Sequence, residues 1–162
     1  MTVLAPMRLD QFERFRAEAI TAFADDNVDA LRWLPARAVA RATAEFDKLL
    51  PLGPATPGHH LYEILEAPAG QTVGFIWFAV VDTPTARTGY LYNIRVASAF
   101  RGRGHAKAAM DQVEAKAREL GADAVALHVF ALNSTAQALY RAVGYGITGF
   151  NMIKRLDGGA RG

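Results

Sequence analysis

The sequence predicts an α+β fold in one domain, built on a mixed, mostly antiparallel sheet flanked by helices. Apolar residues recur at helical spacing early in the chain, β-rich runs follow, and strands then alternate with helices. The length of 162 residues and 51% hydrophobic content suit a single domain with a buried core. We place this domain at residues 1–156 and expect residues 157–162 to be a frayed tail.

The first third of the chain predicts one short strand and two helices. Residues 2–9 alternate weakly between apolar and polar types, as a strand does. Asp10 is placed to cap a helix over residues 11–26, whose phenylalanines and alanines recur at helical spacing. A second helix is expected to start at Pro35, which is tolerated in a first turn, and to end before Pro51.

The middle of the chain predicts three consecutive strands. A connection with three prolines, residues 51–60, is expected to be ordered. β-rich runs at residues 60–66 and 72–82 are joined by the turn signal APAGQ, which predicts an antiparallel hairpin. Residues 89–96 are typical of a third strand.

The last third predicts helices alternating with strands. A helix is expected over about residues 104–120, ending at Gly121. Residues 123–130, DAVALHVF, are nearly all apolar and predict a strand covered on both faces. A last helix over about residues 134–143 and a closing strand within residues 145–156 complete the prediction.

Composition restricts the function classes. The formal net charge is only +2, so no polycationic surface for nucleic acid is indicated. The chain has no cysteine, which excludes thiolate catalysis and disulfides. It also has no signal-peptide pattern and no apolar run of the length that spans a membrane, and we therefore expect a cytoplasmic protein.

The stretch FRGRGHAKAAM, residues 100–110, lies where a strand gives way to a helix. Unpaired N–H groups and the helix dipole attract an anion at such a junction. Glycines let the backbone approach phosphate oxygens, and Arg101 and Arg103 add positive charge. The stretch predicts a phosphate site, although a glycine turn with solvated arginines is equally compatible with it.

A second junction of the same kind, LHVFALNSTAQALYRAVGY, follows the next predicted strand. Asn133 and Tyr140 are spaced to share one helix face and to look into one cleft. Taken singly, each residue is more often a helix cap or a core side chain.

Together, Arg101-x-x-Gly104-x-Ala106 and N-x-x-A-x-x-L-Y-x-x-x-G-Y resemble the GNAT superfamily of N-acetyltransferases. The resemblance implies two splayed parallel strands in the centre of the sheet, with the pantetheine arm of acetyl-CoA against the first of them. It also implies that the backbone N–H groups of residues 101–106, named the cradle from here on, hold the pyrophosphate. The cofactor-binding residues implied are Ile94, Arg95, Val96, Arg101, Gly102, Arg103, Gly104, His105, Ala106 and Asn133.

The resemblance further implies attack by a neutral amine on the acetyl thioester. Tyr140 would donate a proton to the leaving thiolate, and His128 is the candidate base that deprotonates the amine. Glu63, acting through water, is a second candidate. His128 could equally be a hydrogen-bonded core residue, and Glu63 a solvated strand residue.

The acceptor amine cannot be read from the sequence and could be a small molecule, a peptide or a protein. Five aromatic residues are candidates for its pocket, although core packing is their commoner role. We expect no metal, no nucleic acid and no membrane partner, and a homodimer is possible. A non-catalytic acyl-CoA-binding or sensing domain and, less favoured, a nucleic-acid-binding module are the alternatives. The five aromatic residues are Trp33, Tyr62, Trp77, Tyr90 and Tyr92.

Overall fold

The fold is a five-stranded sheet with helices on both faces, and the computed structural model describes residues 1–156. The strands lie in the order β1-β2-β3-β4-β5, and only the β4–β5 pair is parallel. The tail expected at residues 157–162 lies outside the described residues. The strands are β1 (Thr2–Pro6), β2 (His59–Glu66), β3 (Gln71–Asp82), β4 (Arg87–Val96) and β5 (Ala124–Leu127). The helices are α1 (Leu9–Asp29), α2 (Pro35–Leu49), α3 (His105–Glu119) and α4 (Ser134–Ala142).

Two apolar clusters cover the two faces of the sheet. On one face, α1 and α2 bring Phe12, Phe15 and Phe46 against Phe75 and Trp77 of β3. Burying rings of this size is worth about 2 kcal/mol or more each, so this cluster stabilises the helical layer strongly. On the other face, α3 contributes Ala109, Met110, Val113 and Ala117, and α4 contributes Tyr140.

The start of α1 differs from the prediction. The helix begins at Leu9, its N-cap is Arg8, and no side chain caps it. Asp10 therefore lies inside the first turn, where its charge still favours the positive end of the helix dipole. The prediction for α2 is confirmed, with Pro35 at its first position.

The predicted strand at residues 123–130 is wrong in length and in burial. β5 spans only Ala124–Leu127, and its side chains alternate between exposed and half-buried. Only one edge of β5 is paired, because β4 is its single neighbour. The apolar run therefore predicted a strand buried on both faces, whereas the described chain leaves one face of β5 largely open to solvent.

The closing strand predicted within residues 145–156 is also absent, since none of these residues is assigned to a strand. Gly146 and Gly149 interrupt the apolar pattern and lower the strand propensity of the segment. Ile147, Phe150 and Met152 are exposed. As a result the parallel pair lies at one edge of the described sheet and not in its centre.

Candidate active site

The first feature of the site is a separation of β4 from β5. Pairing runs from Thr88 with Ala124 to Leu91 with Leu127 and then stops. On the opposite edge β4 stays paired with β3 as far as Val96. The edge of β4 that faces β5 therefore has no strand partner from residue 92 to residue 96 within the described chain.

A β-bulge in β4 accompanies this separation. Trp77 of β3 lies opposite Asn93, but the next residue, Phe78, lies opposite Leu91, which leaves Tyr92 as the extra residue. A bulge bends its strand and increases the local twist. Residues 93–96, which include the predicted Ile94, Arg95 and Val96, follow this bulge and are paired with β3 but not with β5.

The predicted cradle lies at the end of β4, after a short 3-10 turn. Gly102 and Gly104 have φ angles of 76° and 84°, a left-handed region that glycine adopts without strain. No atom lies within 4 Å of a Cβ built at either position. Gly104 is the N-cap of α3 and supplies no side chain to it, so the first N–H groups of the helix remain available to an anion.

The cradle side chains point to different partners. Arg101 Nε donates to the Val96 carbonyl at 3.0 Å, which ties the loop to β4. Arg103 is 54% exposed and lies 3.8 Å from Glu66. His105 is 4% exposed, its Nδ1 lies 2.9 Å from Thr2 Oγ1, and its Nε2 lies 3.3 Å from Glu66 Oε1. An anion would therefore meet the backbone of His105, because its imidazole is turned into the protein.

Asn133 and Tyr140 are positioned by α4. Asn133 is the N-cap, and its Oδ1 accepts a hydrogen bond from Ala136 N at 3.1 Å. Gln137 donates to the carbonyls of Phe130 and Ala131, which holds the loop between β5 and α4. Tyr140 is 9% exposed, and burial raises the pKa of its phenol.

Asn133 and Tyr140 both line a cleft of about 1680 Å³ beside β5, and His128 lines it as well. His128 is the residue after the end of β5 and is exposed, so it is not the core histidine that the alternative interpretation expected. Although the side chain is exposed, the partial loss of solvent around its ring lowers the pKa of His128 from the ordinary value of 6.5, and the charge of Arg32 lowers it further. The imidazole is therefore neutral at pH 7, as a proton acceptor must be.

Comparison with known proteins identifies the family of this chain. The model of the acetyltransferase (GNAT) family matches residues 26–145. The chain belongs to the GNAT acetyltransferases. Two N-acetyltransferases of Bacillus subtilis (strain 168), described as uncharacterized, resemble it over nearly their full length. YdgE is 32% identical, covering 94% of this chain and 97% of YdgE. YycN is 33% identical, covering 96% of this chain and 100% of YycN.

Solved structures show the same GNAT fold. The crystal structure of YycN superposes with a TM-score of 0.89 at 31% identity, covering 96% of this chain and 99% of that one. AAC(6')-Iy, solved with the bisubstrate analogue CoA-S-monomethyl-acetylneamine, has a TM-score of 0.63 at 17% identity. It covers 96% of this chain and 97% of its own, and at this identity the likeness shows the fold alone.

Glu63 of this acetyltransferase is a buried ion-pair partner and not a solvated residue. It is 2% exposed and accepts hydrogen bonds from Arg8 N, Arg8 Nε, Arg8 Nη2 and Thr72 Oγ1 at 2.7–3.1 Å. Burial alone would raise the pKa of Glu63, but these hydrogen bonds outweigh burial and lower it. A carboxylate held in this way is a weak base, and Glu63 does not line the cleft.

Of the five aromatic residues considered for the acceptor pocket of this acetyltransferase, the two tryptophans are core residues and the three tyrosines are half-buried. Trp33 and Trp77 are 8% and 4% exposed. Tyr92 stacks on Trp77 with ring centroids 4.6 Å apart, and Trp77 Nε1 donates to His59 Nδ1. None of the five residues lines the cleft beside β5.

Sequence reasoning missed the residues that support the site. Thr2 Oγ1 is hydrogen-bonded to His105 Nδ1, Glu66 lies beside His105 Nε2, Arg32 lowers the pKa of His128, and Glu114 accepts a hydrogen bond from Tyr145 Oη at 3.1 Å. These pairs are far apart along the chain, so no local pattern indicates them.

The described residues, 1–156, were also searched for metal sites and membrane-spanning helices. They contain no group of three His, Cys, Asp or Glu side chains arranged for a metal ion. No helix among them has both the length and the apolarity that crossing a bilayer takes.

Proposed function

We propose that this GNAT acetyltransferase transfers an acetyl group from acetyl-CoA to a primary amine by direct attack within a ternary complex. The observation that carries the proposal is the gap between β4 and β5 beyond Leu91 and Leu127, with the glycine cradle at one end of β4. An unpaired strand edge is suited to an extended chain carrying amide groups, which can pair with it as an added strand would.

The described residues fit acetyl-CoA. Gly102 and Gly104 leave open space at their Cα atoms, and the N-terminal N–H groups of α3 are free of a capping side chain. The backbone from Arg101 to Ala106 would hold the pyrophosphate, residues 94–96 would line the pantetheine arm, and Asn133 would contact the arm through its side-chain NH₂ group. AAC(6')-Iy, which has the same fold, was solved with a CoA-containing analogue, and this supports acetyl-CoA as the co-substrate without assigning any of these residues. When bound, acetyl-CoA supplies the acetyl group as a thioester.

Tyr140 is the proposed proton donor to the leaving sulfur. Its raised pKa keeps the phenol protonated through the neutral range, so a proton is available at Oη. A reference phenol with a pKa of about 10 lies only about 1.5 units above a thiol, or about 2 kcal/mol, so the transfer is feasible.

His128 is the proposed base for the acceptor amine. It lies on the same cleft as Tyr140, its imidazole is neutral at pH 7, and its exposure leaves it open to solvent. An amine with a pKa near 10 is almost fully protonated at neutral pH, so it depends on a base more than a weaker amine does.

Calorimetry tests the binding half of the proposal. Acetyl-CoA is expected to bind in preference to ATP, NAD and duplex DNA, because the cradle is continuous with a strand edge suited to pantetheine. Absence of CoA binding together with tight DNA binding that weakens steeply with salt would contradict it.

A further inference from the structure

His105 is a buried polar residue at the very start of α3. It is the first residue of the helix, follows the N-cap Gly104, and is 4% exposed. An apolar side chain would fill the same space without the cost of burying two ring nitrogens. Packing alone therefore does not explain an imidazole at this position. The other buried residues of α3 are all apolar, namely Ala109, Met110, Val113 and Ala117.

The imidazole faces a cross-strand pair of the sheet. Thr2 of β1 lies directly opposite Glu66 of β2 in the antiparallel register, so the two side chains share one face. His105 Nδ1 lies 2.9 Å from Thr2 Oγ1. His105 Nε2 lies 3.3 Å from Glu66 Oε1, without the alignment of a hydrogen bond. The ring thus meets the sheet at two points, which fixes its rotation as well as its depth.

The chemistry of the two partners is consistent with one tautomer of the ring. A carboxylate oxygen only accepts protons, so the proton of a neutral imidazole is favoured on Nε2, beside Glu66. The hydroxyl of Thr2 then donates to Nδ1. Both ring nitrogens are therefore matched by the cross-strand pair.

The cradle benefits from an anchor of this kind, because its own backbone is permissive. Gly102 and Gly104 adopt positive φ angles and carry no side chain that restricts the loop. Ordering such a loop during binding costs affinity, whereas a loop already in place avoids that cost. Arg101 anchors the loop before the glycines through its bond to the Val96 carbonyl. His105 is the anchored residue that follows them.

We propose that His105 is a positioning residue for the phosphates of CoA. Its imidazole, placed between Thr2 and Glu66, fixes the first turn of α3, so that the backbone N–H groups of the cradle are aligned before CoA binds. The ring is turned into the protein and acts through the backbone, so it is not a catalytic residue. The inference rests on the proposed function, because it takes the cradle as the site of CoA.

Calorimetry with CoA on two leucine variants of α3 tests this inference. His105→Leu keeps an apolar side chain in the buried space but loses both contacts. It should raise the CoA Kd by about threefold to tenfold, the range that one hydrogen bond is worth. In steady-state kinetics the change should appear in the KM for acetyl-CoA and not in kcat.

Gln112→Leu is the matched control. Gln112 Nε2 donates to the Thr2 carbonyl at 2.9 Å, and Gln112 Oε1 accepts from Leu4 N at 3.2 Å. It therefore also ties α3 to β1, but about two helical turns away from the cradle. The control should lose stability and keep the CoA Kd of the wild type. An equal loss of CoA affinity in both variants would overturn the inference.

His105→Asn separates positioning from stability. Its amide places a polar group near Thr2 Oγ1 again, but it also buries polar atoms that lack partners. This variant should unfold at a lower temperature than His105→Leu and yet bind CoA more tightly. If CoA affinity instead followed stability, with the asparagine variant the weaker binder, His105 would have a structural role only.

Failure of this inference is distinguishable from failure of the proposed function. A wild type that does not bind CoA would contradict both. A wild type that binds CoA with the same Kd as His105→Leu would overturn the positioning role alone.

Discussion

Leu91 of β4 and Leu127 of β5 are the last residues paired across the parallel strands, and both backbones continue beyond them without pairing to each other. The Tyr92 bulge lies one residue after this point. Residues 92–96 of β4 therefore run from the end of this pairing towards the cradle, and one of their two edges is unpaired. The proposed acetyl-CoA site depends on this geometry more than on any single side chain.

Gly104→Val should weaken CoA binding by about tenfold or more, because a side chain there occupies the space of the phosphate and strains a left-handed residue. Arg103→Ala should have a smaller effect, since an exposed charge is screened by solvent and salt. The measurement is the CoA dissociation constant.

Gly58→Val is the control for backbone strain, as Gly58 has a φ of 79° and equally open surroundings away from the cradle. It should cost stability without changing CoA affinity. Equal effects of Gly104→Val and Arg103→Ala would show that side-chain charge, and not backbone approach, dominates the site.

Tyr140→Phe should lower kcat by about 10²-fold while CoA affinity holds, because the ring still packs and only the proton donor is lost. Tyr145→Phe is a close control: its ring centroid lies 5.9 Å from that of Tyr140, and its hydroxyl is bound to Glu114. It should cost about 1 kcal/mol of stability and little turnover. If both variants kept wild-type kcat, Tyr140 would not be the donor.

His128→Ala should remove the acidic limb of the pH profile of kcat/KM. In the wild type this limb should lie below pH 6.5, because burial and Arg32 both lower the pKa of His128. Arg32→Ala removes one of the two causes, so the limb should move to higher pH by a few tenths of a unit, the scale of a partly screened charge. If the acidic limb of kcat/KM stays at the same pH in both His128→Ala and Arg32→Ala, His128 is not the base.

Glu63→Gln should lower the free energy of unfolding by about 2 kcal/mol, because it weakens buried hydrogen bonds to a charged group. The folded-state pKa of Glu63 lies below 4.5, so its contribution is present above that pH and is lost as the pH falls through the lowered value. The difference in the free energy of unfolding between wild type and Glu63→Gln should therefore become smaller in acid, where Glu63 is protonated in the wild type as well. Loss of the acidic limb of kcat/KM without loss of stability would instead make Glu63 the base.

The sequence predicted those elements whose signals are local. Helical spacing located α1 and α2, and APAGQ located the β2–β3 turn. Gly102 and Gly104 lie between β4 and α3, at the strand-to-helix junction that the sequence indicated, and their binding of phosphate stays a prediction.

What the sequence could not predict depends on distant partners. The length of β5 depends on whether another strand covers its outer edge, and no pattern in residues 123–130 reports that. The bulge at Tyr92 has no local signal, since YLYN is an ordinary strand sequence. His105 is buried by residues from the other end of the chain, with Thr2 lying 103 positions away. The capping bond of Asn133 was, by contrast, the commoner role expected of that residue.

The central claim, acetyl transfer from acetyl-CoA to an amine, is tested most directly by release of free CoA thiol across a panel of amines. The panel spans small amines, polyamines, aminoglycosides, lysine peptides and peptides with free N-termini. The account predicts amine-dependent thiol release with at least one of them, reduced about 10²-fold in Tyr140→Phe. No amine-dependent release, or release that Tyr140→Phe leaves unchanged, would contradict it.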